Sequence, residues 1–465
     1  MNRESNFTGV SIDSRTTQAG DCFFAICGEH FNGADFLADA FDKGAVCAVV
    51  DKNADTEKFA GYNLLEVNDT VKALGDFARQ YRKQAGFKVV AITGSAGKTM
   101  TRQIAYHILS RHFRVSQAPE NFNNNIGLPL TLLGAEPEDE IVIAELGSNH
   151  PGEIALLTRI AAPDVAVITN VYPAHLEGFG DLKTIIQEKL SISEGLQADG
   201  ILIINANILN RTYLAPKFIW GLFSRRRNGD AKYFIFSPRL YRGLFSRRRH
   251  GDGVRNAVQA RNIIHTGFAS RFTIDGTQIC LPLPGLGNVE NTLAAWAICK
   301  RFGITIGDFA GDIRTLPTVP MRTEPLKIKT LTVLNDCYNA NPASMKNALD
   351  ILANLGQGQN RRLVFICGDM AELGQQTRQL HAQLGDSIAN AKVHLLLTIG
   401  KFAKIAAETA KENAKYDLQT ESFEDTISAC NNLEKFIKDY DIILVKGSRV
   451  AKLELAVEKL KELFS

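Results

Sequence analysis

Unbroken apolar runs alternate with helical patterns along most of this chain, and this alternation constrains its fold more than any other feature. Four of the runs lie in the middle of the sequence, at 88–92, 140–144, 164–169 and 200–205. Four more lie nearer the C-terminus, at 331–335, 362–367, 394–399 and 441–445. Strands that are apolar throughout are buried on both faces, as in parallel sheets covered by helices. The pattern therefore predicts an α/β fold with two parallel sheets.

The length of 465 residues suggests about three domains, at roughly 150 residues each. The first part of the chain contains shorter strand-like runs, at 21–26, 45–50 and 62–67. A helical stretch over 71–83 follows them, and Gly86 ends this block. The predicted domains are 1–86, 87–316 and 317–465. We expect the last of them to be doubly wound and closed by a helix over 453–464.

Composition excludes several classes of protein. With 45% hydrophobic and 22% charged residues, the chain is close to the globular average and unlike disordered or collagen-like sequences. No apolar stretch approaches the roughly 18 residues that span a bilayer, and the first ten residues lack the pattern of a signal peptide. The eight cysteines form no CxxC pair and have no histidine at zinc spacing. We expect a cytoplasmic protein with reduced thiols and no membrane insertion.

Positive charge is concentrated in a ten-residue segment that occurs twice, at 221–230 and, with one change, at 243–252. The chain has 53 Lys and Arg against 50 Asp and Glu, and the arginine triplets of this segment supply six of the positive charges. We interpret about 221–252 as an Arg-rich insertion in a surface loop, because loops tolerate added length at low entropic cost. The alternative is a basic patch for anionic lipid or nucleic acid. We expect no nucleic-acid partner.

A glycine-rich turn follows the apolar run at 88–92 and precedes a helical stretch over about 99–111. Its residues are Gly94, Ser95, Ala96, Gly97, Lys98 and Thr99. Backbone amides of such a turn bind phosphate oxygens, while the lysine adds positive charge and the threonine hydroxyl can bind Mg²⁺. The usual pattern has a glycine where this chain has Ile92, so a turn without a ligand remains the alternative. We interpret the turn as a phosphate loop (P-loop).

Glu145 and His175 follow the next two strands of the predicted central sheet. Ligands of open α/β sheets bind beyond the carboxyl ends of the strands, so both side chains are expected near the phosphate loop. A carboxylate and an imidazole beside a nucleotide suit a divalent cation. A lone histidine is more often structural, and that is the alternative for His175.

Three motifs in the C-terminal part resemble those of the Mur ligase family. They are Asp336-Cys337-Tyr338-Asn339-Ala340-Asn341-Pro342, Gly368-Asp369-Met370-Ala371-Glu372-Leu373-Gly374 and Val445-Lys446-Gly447-Ser448-Arg449. Segments at 13–21, 121–129 and 147–153 resemble the family's N-terminal and central domains. The resemblance implies a UDP-substrate-binding domain, a central P-loop ATPase domain and a Rossmann-like C-terminal domain that binds an incoming dipeptide.

The resemblance also implies an activity, an ATP-dependent amide ligation in peptidoglycan precursor synthesis. Family members form an acyl phosphate from a substrate carboxylate and ATP, and an amine then displaces the phosphate. The motifs imply UDP-N-acetylmuramoyl-tripeptide and D-alanyl-D-alanine as small-molecule substrates, ATP and Mg²⁺ as cofactors, and a monomeric enzyme. The third residue of the tripeptide, diaminopimelate or lysine, is not indicated by the sequence.

The family's catalytic roles fall on four residues. Lys98 would hold the β- and γ-phosphates, and Thr99 and Glu145 would bind one Mg²⁺. Glu145, His175 and Lys189 would bind a second. An ammonium group beside a dication is repelled, and the family solves this by carbamylating the lysine, which turns it into an anionic oxygen donor. Without the family, Lys189 would be interpreted as a lysine on a helix surface.

Further roles implied by the resemblance concern the nucleotide and the other substrates. Asn288 and Asn291 would contact adenine, Arg322 the phosphates and Asp336 the ribose, since arginine donates to phosphate and aspartate accepts from hydroxyls. The substrate-binding residues would be Ser14, Arg15, Asn124, Asn125, Asn339, Asn341, Lys446 and Arg449.

The last four of these residues follow two strands, 331–335 and 441–445, at the ligand-binding edge of the sheet. A cation there suits the carboxylate of the dipeptide. The alternatives are that Asn341 only caps a helix and that Lys446 and Arg449 face bulk solvent.

The chain departs from the family pattern at three positions. Gly287 stands where histidine is usual, Asn207 where aspartate is usual, and Ser191 where glutamate is usual. Because the predicted metal and phosphate ligands are all present, we expect an active enzyme. Two other functions remain as alternatives. One is a related Mur ligase or folylpolyglutamate synthase that adds a single amino acid. The other is a P-loop binding protein whose arginines contact nucleic acid.

Overall fold

The computed structural model describes residues 7–28, 31–119, 121–211, 233–237 and 257–464. Within these residues the chain forms four sheets flanked by helices, which confirms the α/β class and the parallel sheets. The first sheet contains β1 (Gly9–Ser11), β2 (Asp21–Phe24), β3 (Cys47–Asp51) and β4 (Leu64–Val67). Its strands are parallel and lie in sequence order.

Two helices belong to this first sheet, α1 (Leu37–Asp42) and α2 (Thr70–Ala85). The Asp69 carboxylate accepts a hydrogen bond from the Lys72 amide and caps the start of α2, and Gly86, with φ of 80°, ends it. One face of α2 buries Leu74 together with residues of the first sheet and of the central domain. This packing joins the N-terminal domain to the central one.

The central sheet has seven parallel strands in the order β11-β10-β9-β8-β5-β7-β6. The strands are β5 (Lys88–Thr93), β6 (Val115–Gln117), β7 (Ile141–Glu145), β8 (Val165–Ile168), β9 (Ile201–Asn205), β10 (Tyr233–Ser237) and β11 (Ala257–Gln259). The described helices are α3 (Lys98–Leu109), α4 (Gly127–Leu133), α5 (Glu153–Ala161), α6 (Leu176–Phe179), α7 (Leu182–Leu190), α8 (Ala206–Arg211), α9 (Leu286–Arg301) and α10 (Ile306–Asp312). β5 lies inside the sheet between β8 and β7, so the turn that follows it is at the carboxyl edge with strands on both sides.

Strand β10 corrects the interpretation of 221–252 as one continuous surface insertion. It lies between the two arginine-rich copies, pairs with β9 on one side and β11 on the other, and places Phe236 in the core. The apolar run around Phe236 explains this, because it matches a strand buried on both faces. The two copies themselves, at 221–230 and 243–252, lie outside the described residues.

A three-stranded antiparallel sheet was not predicted. It comprises β12 (Arg261–Thr266), β13 (Ala269–Ile274) and β14 (Thr277–Leu281). Asp275 and Gly276 connect the last two strands with φ angles of 49° and 85°. An Asp-Gly pair between alternating apolar residues is typical of a hairpin, so the sequence did contain this signal.

The C-terminal sheet has six strands in the order β15-β16-β20-β17-β18-β19. They are β15 (Glu324–Ile328), β16 (Leu331–Asn335), β17 (Leu363–Gly368), β18 (Leu395–Ile399), β19 (Gln419–Phe423) and β20 (Ile442–Lys446). All neighbours are parallel except β15 and β16. The helices are α11 (Pro342–Gly356), α12 (Thr377–Asn390), α13 (Ala403–Asn413), α14 (Thr426–Cys430), α15 (Leu433–Phe436) and α16 (Glu454–Phe464).

The edge strands β15 and β19 were not predicted because both are partly exposed and interrupted by charged or polar residues, whereas the four predicted strands are buried throughout. All eight cysteines are free, as expected. Among the described helices none has both the length and the apolar character needed to cross a membrane.

Candidate active site

A cleft of about 980 Å³ lies between the carboxyl edges of the central and C-terminal sheets. Most of the residues predicted from the sequence line it: Ser95, Ala96, Gly97, Lys98, Thr99, Asn124, Asn125, Glu145, His175, Asn288, Asn291, Arg322, Asp336, Asn339, Asn341, Lys446 and Arg449. Four predicted residues do not, namely Ser14, Arg15, Gly94 and Lys189. The fold thus brings the predicted nucleotide and dipeptide residues to one place.

The glycine-rich turn after β5 is packed so tightly that its glycines are required. Gly94 and Gly97 have φ angles of 146° and 81°. A Cβ on Gly94 would collide with the Thr169 hydroxyl, and one on Gly97 with the Asn291 side chain. The Asn170 side chain fixes the turn by accepting from the Ala96 amide at 2.9 Å. The turn therefore has the close-packed geometry of a phosphate loop, and α3 starts directly after it at Lys98.

Lys98 folds back over this loop. Its Nζ donates to the Gly94 carbonyl at 2.9 Å, and burial lowers the pKa of its ammonium group. An anionic ligand beside this ammonium group would oppose the shift and raise the pKa again.

Thr99 and Glu145, which we predicted as metal ligands, lie side by side. The Thr99 hydroxyl donates to Glu145 Oε2 at 3.2 Å. Sequence reasoning missed Arg102, one turn further along α3, whose Nε donates to Glu145 Oε1 at 2.7 Å. Arg102 also donates to Gln117 and to the Ala118 carbonyl, and its side chain is almost fully buried. One carboxylate oxygen is thus held by Arg102 while the other faces Thr99.

Lys189 lies on α7 behind the cleft wall, and the interpretation as a surface lysine is wrong because the residue is 2% exposed. Its Nζ donates to the Ser148 hydroxyl at 2.7 Å, and Ser148 itself lines the cleft. Among the described residues no carboxylate pairs with it. Burial, followed by repulsion from Lys98, lowers its pKa to about 7. An amine with this pKa is substantially neutral near pH 7 and can act as a nucleophile.

His175 precedes α6 and faces the C-terminal domain. Its Nδ1 contacts Glu372 Oε2, and this hydrogen bond lowers the pKa of the Glu372 carboxyl. The described residues contain no group of three His, Cys, Asp or Glu side chains arranged for a metal ion. The predicted set contains only two such residues, Glu145 and His175, and its other members are Thr99 and Lys189.

Asn288 and Asn291 lie on the first two turns of α9 and are buried. The Asn288 amide donates to the Pro284 carbonyl at 2.8 Å, and its oxygen accepts from Asn291 at 3.4 Å. Gly287, the first departure from the family pattern, donates its amide to Asn347 at 3.0 Å, and a Cβ there would lie 3.2 Å from that side chain. A histidine at Gly287 would need Asn347 to move.

The other two departures are hydrogen-bonded within the chain. The Asn207 amide donates to Glu290 at 3.2 Å, and the Ser191 hydroxyl donates to the Glu188 carbonyl at 2.7 Å. Neither residue lines the cleft.

Lys446 has a different environment from the one that we predicted. Its Nζ donates to Asp336 Oδ2 at 2.6 Å, to the Asp336 carbonyl at 3.3 Å and to the Asn339 carbonyl at 3.0 Å. These three acceptors use all three ammonium protons. Lys446 is therefore not a solvent-facing lysine and has no donor left for a dipeptide carboxylate. It orients Asp336, whose other oxygen accepts from the Thr323 amide at 2.9 Å.

Asn341 does cap a helix, as one alternative held. Its side-chain oxygen accepts from the Ser344 amide at 2.9 Å at the start of α11, while its Nδ2 donates to the Ser95 carbonyl at 3.2 Å. The second bond joins the C-terminal domain to the phosphate loop. Asn339 is more exposed, and its oxygen accepts from the adjacent Ala340 amide at 2.8 Å.

The ring of Tyr338 lies close to both arginines of the cleft. The Arg322 guanidinium lies 3.9 Å from the centroid of Tyr338, and that of Arg449 lies 5.9 Å away. The Tyr338 hydroxyl donates to Asn121 of the central domain. Arg449 also pairs with Glu454 at 3.2 Å. The nearby Ser448 hydroxyl is buried in the cleft wall and has no hydrogen-bond partner among the described residues.

The remaining predicted residues have local roles. Asn124 Oδ1 accepts from the Gly127 amide at 2.8 Å at the start of α4, and Asn125 lies beside it in the cleft wall. Ser14 and Arg15 lie in the N-terminal domain, where Ser14 is buried and Arg15 is exposed and pairs with Asp13 at 2.7 Å. The structure does not bring these two residues to the cleft.

Three family models match the chain, one in each of its N-terminal, central and C-terminal parts. They are "Mur ligase family, catalytic domain" over residues 6–82, "Mur ligase middle domain" over 92–219 and "Mur ligase, glutamate ligase domain" over 321–449. The UDP-N-acetylmuramoyl-tripeptide–D-alanyl-D-alanine ligase of Bacillus subtilis (strain 168) is 32% identical over 459 residues, which cover 98% of this chain and 93% of the relative. The ligase of the same name from Escherichia coli (strain K12) is 34% identical and is matched over 97% of this chain and 93% of the relative.

Solved structures are similar over nearly the whole chain. A crystal structure of MurF from Acinetobacter baumannii has a TM-score of 0.84 at 28% identity and covers 99% of this chain and 94% of the other. The MurF ligase of Thermotoga maritima, solved in complex with ADP, has the same fold, with a TM-score of 0.79 at 24% identity over 99% and 98% of the two chains.

Proposed function

The chain belongs to the Mur ligase family, and we propose that the cleft between its central and C-terminal domains is where its reaction occurs. The enzyme is an ATP-dependent ligase that joins D-alanyl-D-alanine to UDP-N-acetylmuramoyl-tripeptide in peptidoglycan synthesis. One observation carries the proposal for the site: the phosphate loop and the polar ends of β16 and β20 line the same cleft. ATP, the tripeptide carboxylate and the dipeptide amine can therefore meet there.

The proposed reaction has two steps. A carboxylate oxygen of the tripeptide attacks the γ-phosphorus of ATP, and ADP leaves with the electrons of the broken P–O bond. The dipeptide amine then attacks the carbonyl carbon of the acyl phosphate, inorganic phosphate leaves, and the nitrogen loses one proton. Lys98 would compensate the charge of the phosphates in the first step, and Arg322, whose guanidinium lies 3.9 Å from the centroid of the Tyr338 ring, would add a second cation.

The residues present fit Mg²⁺. Thr99 and Glu145 supply neighbouring hydroxyl and carboxylate oxygens, the donors that this ion prefers. Lys189 would join them as a carbamate, since burial favours its neutral amine, and a neutral amine can attack carbon dioxide. When bound, Mg²⁺ would neutralise charge on the phosphates. His175 is proposed as a further ligand.

At the dipeptide end, Arg449 and the unpaired Ser448 hydroxyl would receive the carboxylate of D-alanyl-D-alanine, and Asn339 would lie close by. Ser14 and Arg15 would bind the UDP moiety from the N-terminal domain. We further propose that the enzyme acts as a monomer in the cytoplasm, where ATP is available.

The test is a ligation assay with purified full-length protein. We expect ATP-dependent product with D-alanyl-D-alanine and either a diaminopimelate- or a lysine-containing UDP-tripeptide, and phosphate release that requires all three substrates. Lys98→Ala should lose roughly 10²-fold or more in rate, because a preorganised charge is removed. Product with single amino acids but not with the dipeptide would contradict the proposed reaction, and full activity of Lys98→Ala would contradict the proposed site.

A further inference from the structure

His175 and Glu372 connect two domains across the cleft. His175 lies in the central domain just before α6, and Glu372 lies in the C-terminal domain between β17 and α12. Nδ1 of His175 contacts Oε2 of Glu372, and both residues line the cleft. The two residues are 197 positions apart in the sequence, so only the approach of the two domains brings them together.

The backbone has an uncommon conformation on both sides of this contact. His175 and Glu372 both have positive φ, at 52° and 61°, an uncommon conformation for residues with side chains. The Glu372 carbonyl accepts from the Glu177 amide at 3.2 Å, and a Cβ on Gly374 would lie 3.3 Å from Glu177 Cα. Two residues with unusual backbone conformations face each other, and a backbone hydrogen bond lies beside them. This indicates that the surrounding structure holds the contact in a defined geometry.

The side chains themselves contribute little to stability. The Glu372 side chain is 50% exposed and that of His175 is 26% exposed, and ion pairs at such exposure are weak. Stability alone therefore does not explain the arrangement. The effect of the contact on the imidazole does explain the arrangement. A carboxylate can only accept a hydrogen bond, so Nδ1 of His175 must carry the proton that it donates to Glu372. In the neutral ring Nε2 is then unprotonated and has a free lone pair.

We propose that Glu372 is a positioning residue, which fixes His175 from the opposite domain in the tautomer and orientation that bind a divalent cation through Nε2. The inference rests on the proposed function, in which His175 is a cation ligand. Histidine ligands commonly donate their other nitrogen to a carboxylate, and loss of that carboxylate typically weakens metal binding by about 10- to 100-fold. Because Glu372 belongs to the C-terminal domain, the cation site is complete only when the two domains are in contact.

The first experiment reads the tautomer directly in metal-free, full-length protein labelled with ¹⁵N-histidine. The resonance of His175 is the one absent from His175→Gln. We expect Nδ1 to be protonated in the native protein and the Nε2-protonated form to gain population in Glu372→Ala. Glu372→Gln, which keeps an acceptor oxygen, should retain the native tautomer. The control is Glu177→Gln, which removes an exposed carboxylate two residues from His175 without removing the contact.

The second experiment measures Mn²⁺ binding to the full-length protein in the presence of ADP and bicarbonate. We expect about a 10- to 100-fold weaker affinity in Glu372→Ala, a smaller loss in Glu372→Gln and no change in Glu177→Gln. An unchanged tautomer and affinity in Glu372→Ala, or an equal loss in Glu177→Gln, would overturn the inference. Neither experiment depends on ligation, so a failure of the proposed reaction would appear separately, as native protein that binds Mn²⁺ but forms no amide with the dipeptide.

Discussion

Two buried lysines, Lys189 in the central domain and Lys446 in the C-terminal domain, show how differently one residue type can be used. Each is only 2% exposed. Lys446 donates to a carboxylate and to two carbonyls, whereas Lys189 donates to a single hydroxyl, that of Ser148. The partners of Lys446 thus include a carboxylate, whereas burial lowers the pKa of Lys189 to about 7. Burial alone does not identify a reactive lysine, because the partners of the ammonium group differ from one buried lysine to the next.

Among the variants that test this comparison, Lys446→Met should have the largest effect. It keeps much of the side-chain volume and removes the charge. Asp336 would then be a mostly buried carboxylate without its partner, and such a change typically costs about 3–5 kcal/mol of the free energy of unfolding. Urea denaturation measures it. The double variant Lys446→Met/Asp336→Asn should recover most of the loss, since the uncompensated charge is gone. Equal losses in the single and double variants would show that the ammonium does not act through Asp336.

The same variant separates the roles of the two substrates. Lys446 orients Asp336, the residue proposed to bind ribose. The apparent binding constant of Lys446→Met for ATP should therefore rise more than its apparent binding constant for the dipeptide. A selective effect on the dipeptide would instead restore the role that we expected from the sequence.

Lys189→Ala should be folded but lose roughly 10²-fold or more in ligation rate, equivalent to about 2.7 kcal/mol, because the proposed carbamate oxygen near the phosphates is removed. A short carboxylic acid such as acetate should restore part of the activity by replacing that oxygen. Lys183→Ala, at an exposed position of the same helix α7, is the matched control and should be unaffected. Full activity of Lys189→Ala would contradict the assignment of Lys189 to the site.

The pH dependence of stability gives a smaller effect, which tests the buried amine of Lys189. The pKa of Lys189 is about 7 in the folded protein and near the ordinary 10.5 in the unfolded chain, so the unfolded state binds more protons between these values. The destabilisation due to Lys189 is therefore complete below pH 7 and is relieved as the pH rises towards 10.5. In CO₂-free buffer, the stability advantage of Lys189→Met over native protein should shrink by about 1.4 kcal/mol per pH unit in this window. A constant difference would contradict the buried-amine account.

Much of the fold could be predicted from the sequence where a pattern is local. The buried parallel strands and the phosphate loop between β5 and α3 are such cases. The antiparallel hairpin at Asp275 and Gly276 was also signalled locally, and it was overlooked. Strand β10 was harder to predict, because a short apolar run between two arginine-rich copies reads as part of a loop until its neighbours β9 and β11 are known.

The site was predictable in residue type but not in its pairings. The contacts Arg102–Glu145 and His175–Glu372 join residues 43 and 197 positions apart, and no local pattern signals them. Lys446 was placed correctly at the end of a strand, yet its orientation towards Asp336 depends on the register of β16 against β20. Tertiary packing decides which neighbour a polar side chain binds, and this information is not contained in spacing along the chain.

The most direct test of the contrast between the two lysines is ¹³C NMR of the full-length protein in ¹³C-bicarbonate. We predict a carbamate resonance in native protein that persists in Lys446→Met and is absent from Lys189→Ala. A native protein without that resonance, or a resonance that survives in Lys189→Ala, would contradict the assignment of Lys189 as the reactive amine of the site.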